Sequence, residues 1–300
     1  MNEAAGATRF GFAALIGAPN AGKSTLVNQL VGAKISIVSH KVQTTRARIR
    51  AIMVKDNAQV VLVDTPGIFA PRRKLDEHMV KSAWAGSAEA DATALLVDAR
   101  RALDDETEAI IRQLEANKTK ALLIINKTDL MKRDLLLPLA QKLNERFPFT
   151  DTFMVSALNG SGVERLRDKL AELMPEGPWH YPGDQSADVN LRFLAAEITR
   201  EKIYERLHDE LPYASTVETE LWEERKDGSV KISQAIFVER DGQKAIVLGK
   251  GGQTVKTIGQ LARADMEKQF DRRVHLFLFV KVRENWSQDP ERLRLMGLLE

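Results

Sequence analysis

The chain of 300 residues contains no cysteine, few aromatic residues and almost no net charge. The lack of Cys excludes a disulfide framework and thiolate metal sites. The longest apolar runs, such as Ala92 to Val97 and Ala121 to Ile125, are far shorter than the ~18 residues that suggest a membrane span. Met1-Asn2-Glu3 does not open the basic, apolar and small-residue order of a secretion signal, so we expect a cytoplasmic location.

Apolar residues nevertheless make up 44% of the sequence, which suits two domains that each bury a core. The net charge of +2 does not by itself indicate nucleic acid binding. Its distribution is uneven, because residues 181–230 carry −6 and residues 231–290 carry +4. Such a difference is ordinary surface variation unless a motif supports it.

Three motifs follow one another in the first half of the chain. They are Gly17-Ala18-Pro19-Asn20-Ala21-Gly22-Lys23-Ser24, Asp64-Thr65-Pro66-Gly67 and Asn126-Lys127-Thr128-Asp129. Strand-like and helix-like patterns alternate around them, which predicts an α/β domain with a mostly parallel sheet and helices on both faces. In this order the motifs describe a pocket for phosphate, magnesium and guanine, so they predict a guanine nucleotide switch.

The first motif predicts a phosphate-binding loop. Gly17 and Gly22 allow backbone conformations in which consecutive N–H groups turn towards phosphate oxygens. Lys23 can reach the β and γ phosphates, and the Ser24 hydroxyl can coordinate Mg²⁺ at the start of a helix. A chance glycine-rich turn is the alternative for this motif alone, and the two companion motifs disfavour it.

The second motif predicts the switch that responds to the γ-phosphate. Asp64 ends an apolar strand and would hold Mg²⁺ through a water, while the Gly67 N–H would meet the γ-phosphate. The other switch is expected at Lys41-Val42-Gln43-Thr44-Thr45-Arg46, where we choose Thr45 over Thr44 as the remaining magnesium ligand.

The third motif predicts guanine specificity. Asp129 can accept hydrogen bonds from guanine N1–H and the 2-amino group, which adenine lacks, so adenine would leave a buried carboxylate unpaired. Lys127 would pack its stem along the base, and Ser156-Ala157-Leu158 would offer an N–H to O6.

Two residues bear on hydrolysis. Many GTPases carry a Gln after Asp-Thr-Pro-Gly that orients the attacking water, but this chain has Ile68, so we expect slow intrinsic turnover. In related GTPases with Asn at the position of Asn20, K⁺ takes the place of an arginine finger, so we expect K⁺ as a further cation. The alternative is that Asn20 only stabilises the turn.

The second half of the chain predicts an RNA-binding domain. Residues 175–189 are rich in Pro and Gly and suggest a linker and pivot between a first domain at 1–174 and a second at 190–300. A helix from residue 190, strands near 214–223, 229–239 and 274–282, and a helix after residue 252 are expected. Gly249-Lys250-Gly251-Gly252 is a Gly-x-x-Gly loop that, in this context, predicts a type II KH domain of α+β structure clamping about four nucleotides of single-stranded RNA.

The whole chain resembles the Era family, bacterial GTPases that join a G domain to a C-terminal KH domain. The resemblance rests on the three nucleotide motifs together with Gln43-Thr44-Thr45-Arg46, Glu210-Leu211-Pro212-Tyr213 and Gly249-Lys250-Gly251-Gly252. It implies binding to the 3′ end of small-subunit ribosomal RNA, assistance in small ribosomal subunit maturation, and contact with the inner face of the cytoplasmic membrane.

We expect a monomeric GTPase that uses GTP, GDP and Mg²⁺. The alternatives are a GTPase acting in tRNA modification or at a membrane, and a non-enzymatic RNA-binding module with a structural nucleotide. The expected catalytic residues are Lys23, Asn20, Thr45 and Gly67, and the metal ligands are Ser24, Thr45 and Asp64. The expected nucleotide-binding residues are Gly17, Ala18, Pro19, Asn20, Ala21, Gly22, Lys23, Ser24, Thr25, Asp64, Gly67, Asn126, Lys127, Asp129, Ser156, Ala157 and Leu158.

Overall fold

The computed structural model describes residues 7–39, 41, 44–47, 49–71, 73–296 and 298–299. Met1-Asn2-Glu3, and Val42 and Gln43 of the expected switch segment, lie outside these residues. The described residues form two compact units. The first holds residues up to Ser36, Thr45–Asp188 and those from Met296 on, and the second holds Ile37–Thr44 and Val189–Leu295.

The first unit is built on a six-stranded sheet with the order β2-β3-β1-β4-β5-β6. All its neighbouring strands are parallel except β2 and β3, which are antiparallel. The strands are β1 Arg9–Ile16, β2 Ile49–Lys55, β3 Ala58–Asp64, β4 Ala92–Asp98, β5 Leu122–Asn126 and β6 Thr152–Met154. The helices are α1 Lys23–Val31, α2 Lys74–Ala88, α3 Asp105–Ala116, α4 Arg133–Arg146 and α5 Val163–Leu173.

The predicted alternation of strands and helices in this unit is confirmed. The central strands β3, β4 and β5 are buried along their whole length, as expected for a sheet covered by helices. Helices α2, α3 and α4 share one core with β4 and β5, while α1 and α5 contact β3. Strand β2 was not predicted from the sequence, because its residues do not alternate between apolar and polar types and so show no period of two.

The second unit has a three-stranded sheet in which β8 lies between β7 and β9. β7 is antiparallel to β8, and β9 is parallel to it. The elements are α6 Leu191–Arg206, β7 Ser215–Glu224, β8 Val230–Val238, α7 Asp241–Leu248, α8 Gln253–Phe270, β9 Val274–Val282 and α9 Pro290–Leu295. This order agrees with the expected type II KH arrangement, although the short helices α7 and α9 were not predicted from the sequence.

The segment predicted to be a linker, 175–189, groups mostly with the first unit. The amide of Phe10 donates to Pro175 O at 3.1 Å, and the Trp179 side chain donates to Asn57 O at 3.0 Å. The buried Gln59 amide group accepts from His180 N and Tyr181 N and donates to Tyr181 O. Because a buried amide needs such partners, these residues are held against the strands, and after Thr44 the chain returns to the second unit only at Val189.

No helix in the described part of the chain is both long enough and apolar enough to cross a membrane.

Candidate functional site

The loop between β1 and α1 folds around its glycines. Gly22 has φ 101°, a left-handed conformation that favours glycine, and a Cβ there would clash with the Asn126 side chain. Lys23 is buried, and its Nζ donates to Gly17 O at 2.9 Å and Ala18 O at 3.0 Å. Ser24 and Thr25 lie in the first turn of α1, where backbone N–H groups have no helical partner and can receive an anion.

Three oxygen-bearing side chains meet beside this loop. Ser24 Oγ lies 2.7 Å from Thr45 Oγ1 and donates to Asp64 Oδ2 at 2.8 Å. Asp64 is fully buried, and its Oδ1 has no hydrogen-bond partner among the described residues. Hydroxyl and carboxylate oxygens are the ligands that Mg²⁺ prefers, so this donor set fits the expected cation.

The two threonines of the expected switch are oriented differently. Thr45 is buried and its hydroxyl lies beside Ser24, whereas the Thr44 hydroxyl donates to Lys41 O at 2.8 Å. The geometry therefore favours Thr45 over Thr44 as the magnesium ligand.

Burial perturbs both charged groups of the phosphate and metal site. It lowers the pKa of Lys23 to about 8, although the negative charge of Asp64 opposes this shift. It also raises the pKa of the Asp64 carboxyl, against hydrogen bonds from neighbouring side chains. Desolvation disfavours the charged forms of Lys23 and Asp64. An anion beside Lys23 or a cation beside Asp64 would favour these forms, and it would meet groups that are already held in place.

Gly67 lies close to the phosphate loop. A Cβ at Gly67 would lie 3.0 Å from atoms of Pro19, and the next residue, Ile68, donates its N–H to Gly17 O at 3.0 Å. Ile68 is buried, and its side chain has no polar group that could orient a water. The polar groups that Gly67 and Ile68 place beside the loop are therefore backbone groups.

Asn126 joins two loops of the expected base site. It is 1% exposed, its Nδ2 donates to Ala21 O at 2.8 Å, and its Oδ1 accepts from Ala157 N at 2.9 Å. The phosphate loop and the loop after β6 are thus held together by one amide side chain. Ser156 and Ala157 are buried, whereas Leu158 is exposed.

Lys127 and Asp129 complete this edge of the sheet. Lys127 has φ 60°, and its Nζ donates to Asn20 O at 2.5 Å. Asp129 is exposed, so the expected cost of an unpaired carboxylate arises only when a base covers it. Asn20 also has a left-handed backbone, φ 62°, which Asn tolerates better than most residues.

Asp98 also lies at this edge and was not predicted from the sequence. Its carboxylate pairs with Lys127. The available signal was its position, because it ends the apolar strand β4 as Asp64 ends β3. The carboxyl ends of parallel strands meet at one edge of a sheet, where ligands bind.

In the second unit, the Gly-x-x-Gly loop connects α7 and α8. Gly249, Gly251 and Gly252 have φ values of 72°, 60° and 77°, so three of the four positions adopt a conformation that favours glycine. Lys250 is exposed between them, and the preceding Ile246 is 60% exposed. A loop of three positive-φ glycines with an exposed cation, placed between α7 and α8, is what is expected of a loop that clamps single-stranded RNA.

Part of the expected switch belongs to the second unit. Glu201 of α6 accepts from Val38 N at 2.9 Å, and Lys41 Nζ donates to the carbonyls of Tyr204 and Leu207 near the end of α6. Arg200 donates to Thr44 O at 2.5 Å. The sequence carried no signal for these contacts, since they join residues more than 150 positions apart.

Fold and site together define a P-loop GTPase domain followed by a KH domain. A family model described as "50S ribosome-binding GTPase" matches residues 12–127, and a KH domain model matches residues 210–287. The chain is 63% identical to GTPase Era of Afipia carboxidovorans over 99% of its own length and 96% of the relative, and 61% identical to GTPase Era of Brucella suis over 97% and 94%.

Solved structures agree with this result. A crystal structure of Era in complex with MgGDPNP and nucleotides 1506–1542 of 16S ribosomal RNA matches 98% of this chain and 100% of that one, with a TM-score of 0.92 and 35% identity. A crystal structure of a single-residue variant of Aquifex aeolicus Era bound to GDP and AlF4⁻ covers the same shares of the two chains, with the same TM-score and 34% identity. The chain belongs to the Era family of GTPases.

Proposed function

We propose that this GTPase is a switch that binds the 3′ end of small-subunit ribosomal RNA and assists assembly of the small ribosomal subunit. The observation that carries the proposal is the presence, on one chain, of the nucleotide site of the first unit and the Gly249 to Gly252 loop of the second. The related Era bound to MgGDPNP and a 16S ribosomal RNA fragment supports the choice of RNA.

Hydrolysis requires in-line attack of water on the γ-phosphate, with the growing charge stabilised around it. Lys23 Nζ would leave the carbonyls of Gly17 and Ala18 for the β and γ phosphate oxygens. Mg²⁺, when held by Ser24, Thr45 and Asp64, supplies neutralisation of the phosphate charge. Because Ile68 cannot orient the water, turnover without a partner should be slow.

We further propose that GTP tightens RNA binding relative to GDP. A nucleotide can shift the RNA-binding equilibrium only if it interacts differently with the two states of the protein. Residues Ile37–Thr44 group with the second unit, while the next residue, Thr45, groups with the first, and its hydroxyl lies beside Ser24, where we expect Mg²⁺. A change in the position of Thr45 therefore acts through one peptide bond on a segment held by α6.

The central test is GTP turnover in KCl with and without a single-stranded RNA that copies the 3′ end of small-subunit ribosomal RNA, with ATP as the control nucleotide. We expect turnover that is specific for GTP and stimulated by this RNA. Turnover indifferent to the RNA, together with no measurable RNA binding, would contradict the proposed partner and favour the tRNA-modification or membrane alternative. RNA binding without any GTP turnover would favour the non-enzymatic module.

We propose K⁺ as a second cation, with Asn20 as one of its ligands. Hydrolysis in KCl should then exceed hydrolysis in NaCl. Asn20→Gly keeps a residue that tolerates φ 62° but removes the side-chain oxygen, so it should abolish the K⁺ effect and leave GDP affinity within about twofold. Equal rates in the two salts for the unsubstituted protein would remove the proposal and leave Asn20 as a turn residue.

We also propose a cytoplasmic monomer that contacts the membrane peripherally, as the family resemblance implies. Light scattering would measure the oligomeric state, and co-sedimentation with vesicles of anionic lipid would measure membrane contact. A stable dimer, or absence from the vesicle pellet, would contradict the respective part.

A further inference from the structure

Three charged side chains form a cluster at the carboxyl edge of the first sheet. Lys127 Nζ lies 2.8 Å from Asp98 Oδ2, and the Arg100 guanidinium lies 2.8 Å from the same oxygen. The Asp98 side chain is 9% exposed, whereas those of Lys127 and Arg100 are 25% and 50% exposed. The charge of Asp98 is therefore buried beneath two more accessible cations.

Asp98 accepts more hydrogen bonds than these two pairs alone. Its Oδ1 accepts from the backbone N–H of Arg100 at 3.0 Å and from Arg100 Nε at 3.1 Å. Burial opposes ionisation of Asp98, but the hydrogen bonds from Arg100 and Lys127 outweigh it and hold the pKa of this carboxyl well below its usual range. The carboxylate is a fixed, charged anchor rather than a solvated surface group.

The anchor holds the Lys127 side chain at its far end. Nζ is shared between Asn20 O in the phosphate loop and Asp98 Oδ2 at the end of β4, so its position is defined from two sides. A free lysine stem samples many rotamers, and a ligand that packs on it must restrict them. Asp98 also pairs in register with Asn126, the residue before Lys127, which places anchor and stem at the same strand ends.

We propose that Asp98 is a positioning residue for the guanine base: it holds Lys127 so that the methylene stem forms a fixed wall of the base site. Arg100 supports it by occupying the remaining lone pairs of the carboxylate. The inference rests on the nucleotide site and not on the identity of the RNA. An assay without RNA therefore tests it separately from the proposed function.

The test is a double-mutant cycle on the affinity for a fluorescent GDP analogue. Asp98→Asn keeps the shape of the side chain but removes its charge, and we expect about five- to twentyfold weaker binding, since the freed stem must be ordered by the ligand. In a Lys127→Met background the same change should alter affinity less than about twofold. Asp151→Asn, which removes an ion pair with Lys169 elsewhere in this unit, is the matched control and should leave affinity unchanged.

A merely structural role for Asp98 would give other results. It would lower affinity equally in both backgrounds, and that outcome, or an unchanged affinity in the protein that retains Lys127, would overturn the proposal. If Asp98→Asn does not fold, Arg100→Ala enters the same cycle with a smaller expected loss in the same direction.

Steady-state kinetics add a second readout. The base contact is the same in the ground and transition states, so its loss weakens binding without slowing the chemical step. Asp98→Asn should therefore raise the KM for GTP and leave kcat within about twofold, whereas a matching loss of kcat would contradict a positioning role.

Discussion

Removing the Asn126 side chain should destabilise the first unit and weaken nucleotide binding together. Asn126→Ala deletes two buried hydrogen bonds, of 2.8 Å to Ala21 O and 2.9 Å from Ala157 N, and leaves the Ala157 N–H without its partner. A typical hydrogen bond contributes about 0.5–1.5 kcal/mol net, and an unpaired buried donor costs about 1–3 kcal/mol. We therefore expect a loss of about 2–4 kcal/mol in the free energy of unfolding.

Urea unfolding of the nucleotide-free protein, followed by tryptophan fluorescence, measures this loss. Asn144→Ala is the matched control, because Asn144 Nδ2 also donates two hydrogen bonds, to Ala140 O at 2.8 Å and Thr152 Oγ1 at 2.9 Å, but the residue is exposed. Water replaces the partners there, so we expect a change below about 1 kcal/mol.

The affinity for GDP provides the second measurement. Asn126 positions both the phosphate loop and the Ala157 N–H, so its loss should weaken GDP binding by at least about tenfold, while Asn144→Ala leaves it unchanged. Equal destabilisation by the two substitutions, or normal GDP affinity in Asn126→Ala, would refute the view that this one amide joins the two loops of the base site.

Three further predictions follow from the site and the switch. Thr45→Ala should raise the Mg²⁺ concentration needed for half-maximal GTP turnover several-fold, and Thr44→Ala should not. A magnesium titration measures both variants, and a larger effect of Thr44→Ala would exchange the roles of the two residues. Gly251→Asp should weaken RNA binding at least about tenfold, because the new carboxylate repels phosphate, and should leave GTP affinity normal. Gly228→Asp, at another left-handed glycine of the second unit, should not weaken RNA binding. Filter binding of the RNA measures both variants, and parallel losses of RNA and GTP binding would indicate misfolding instead. Lys41→Met removes a cation from the end of α6. It should reduce the difference in RNA affinity between the GTP and GDP states, which for a typical coupling is ~1–3 kcal/mol, without changing GTP affinity. An unchanged difference would rule out this segment as the connection.

The nucleotide chemistry was readable from the sequence because it lies in short contiguous motifs. A loop such as Gly17 to Ser24 must contain glycine where the backbone turns left-handed, and a cation and a hydroxyl directly after it. The motifs could then be placed at strand ends, because the buried strands of a parallel sheet are visible as apolar runs in the sequence. The same holds for Gly249 to Gly252, where three positions of positive φ coincide with three glycines.

Other features depended on residues distant in sequence. The predicted linker was placed from its Pro and Gly content, but composition does not show that Gln59 and Asn57 bind residues 179–181. Likewise, Lys41 and Thr44 were assigned to a switch by their position, while their contacts to α6 are not encoded in any local pattern.

The sequence by itself determined the family, the two domains and the nucleotide motifs, because local backbone conformation and ligand chemistry restrict residue types at neighbouring positions. Only the tertiary structure showed that Asn126 connects two loops, that the Thr45 hydroxyl lies beside Ser24 while the Thr44 hydroxyl bonds Lys41 O, and that Lys127 pairs with Asp98. These contacts arise where the fold brings strand ends from separate parts of the chain to one edge of the sheet. The physical reason is that a hydrogen bond depends on the distance between two atoms in space and not on their separation along the chain.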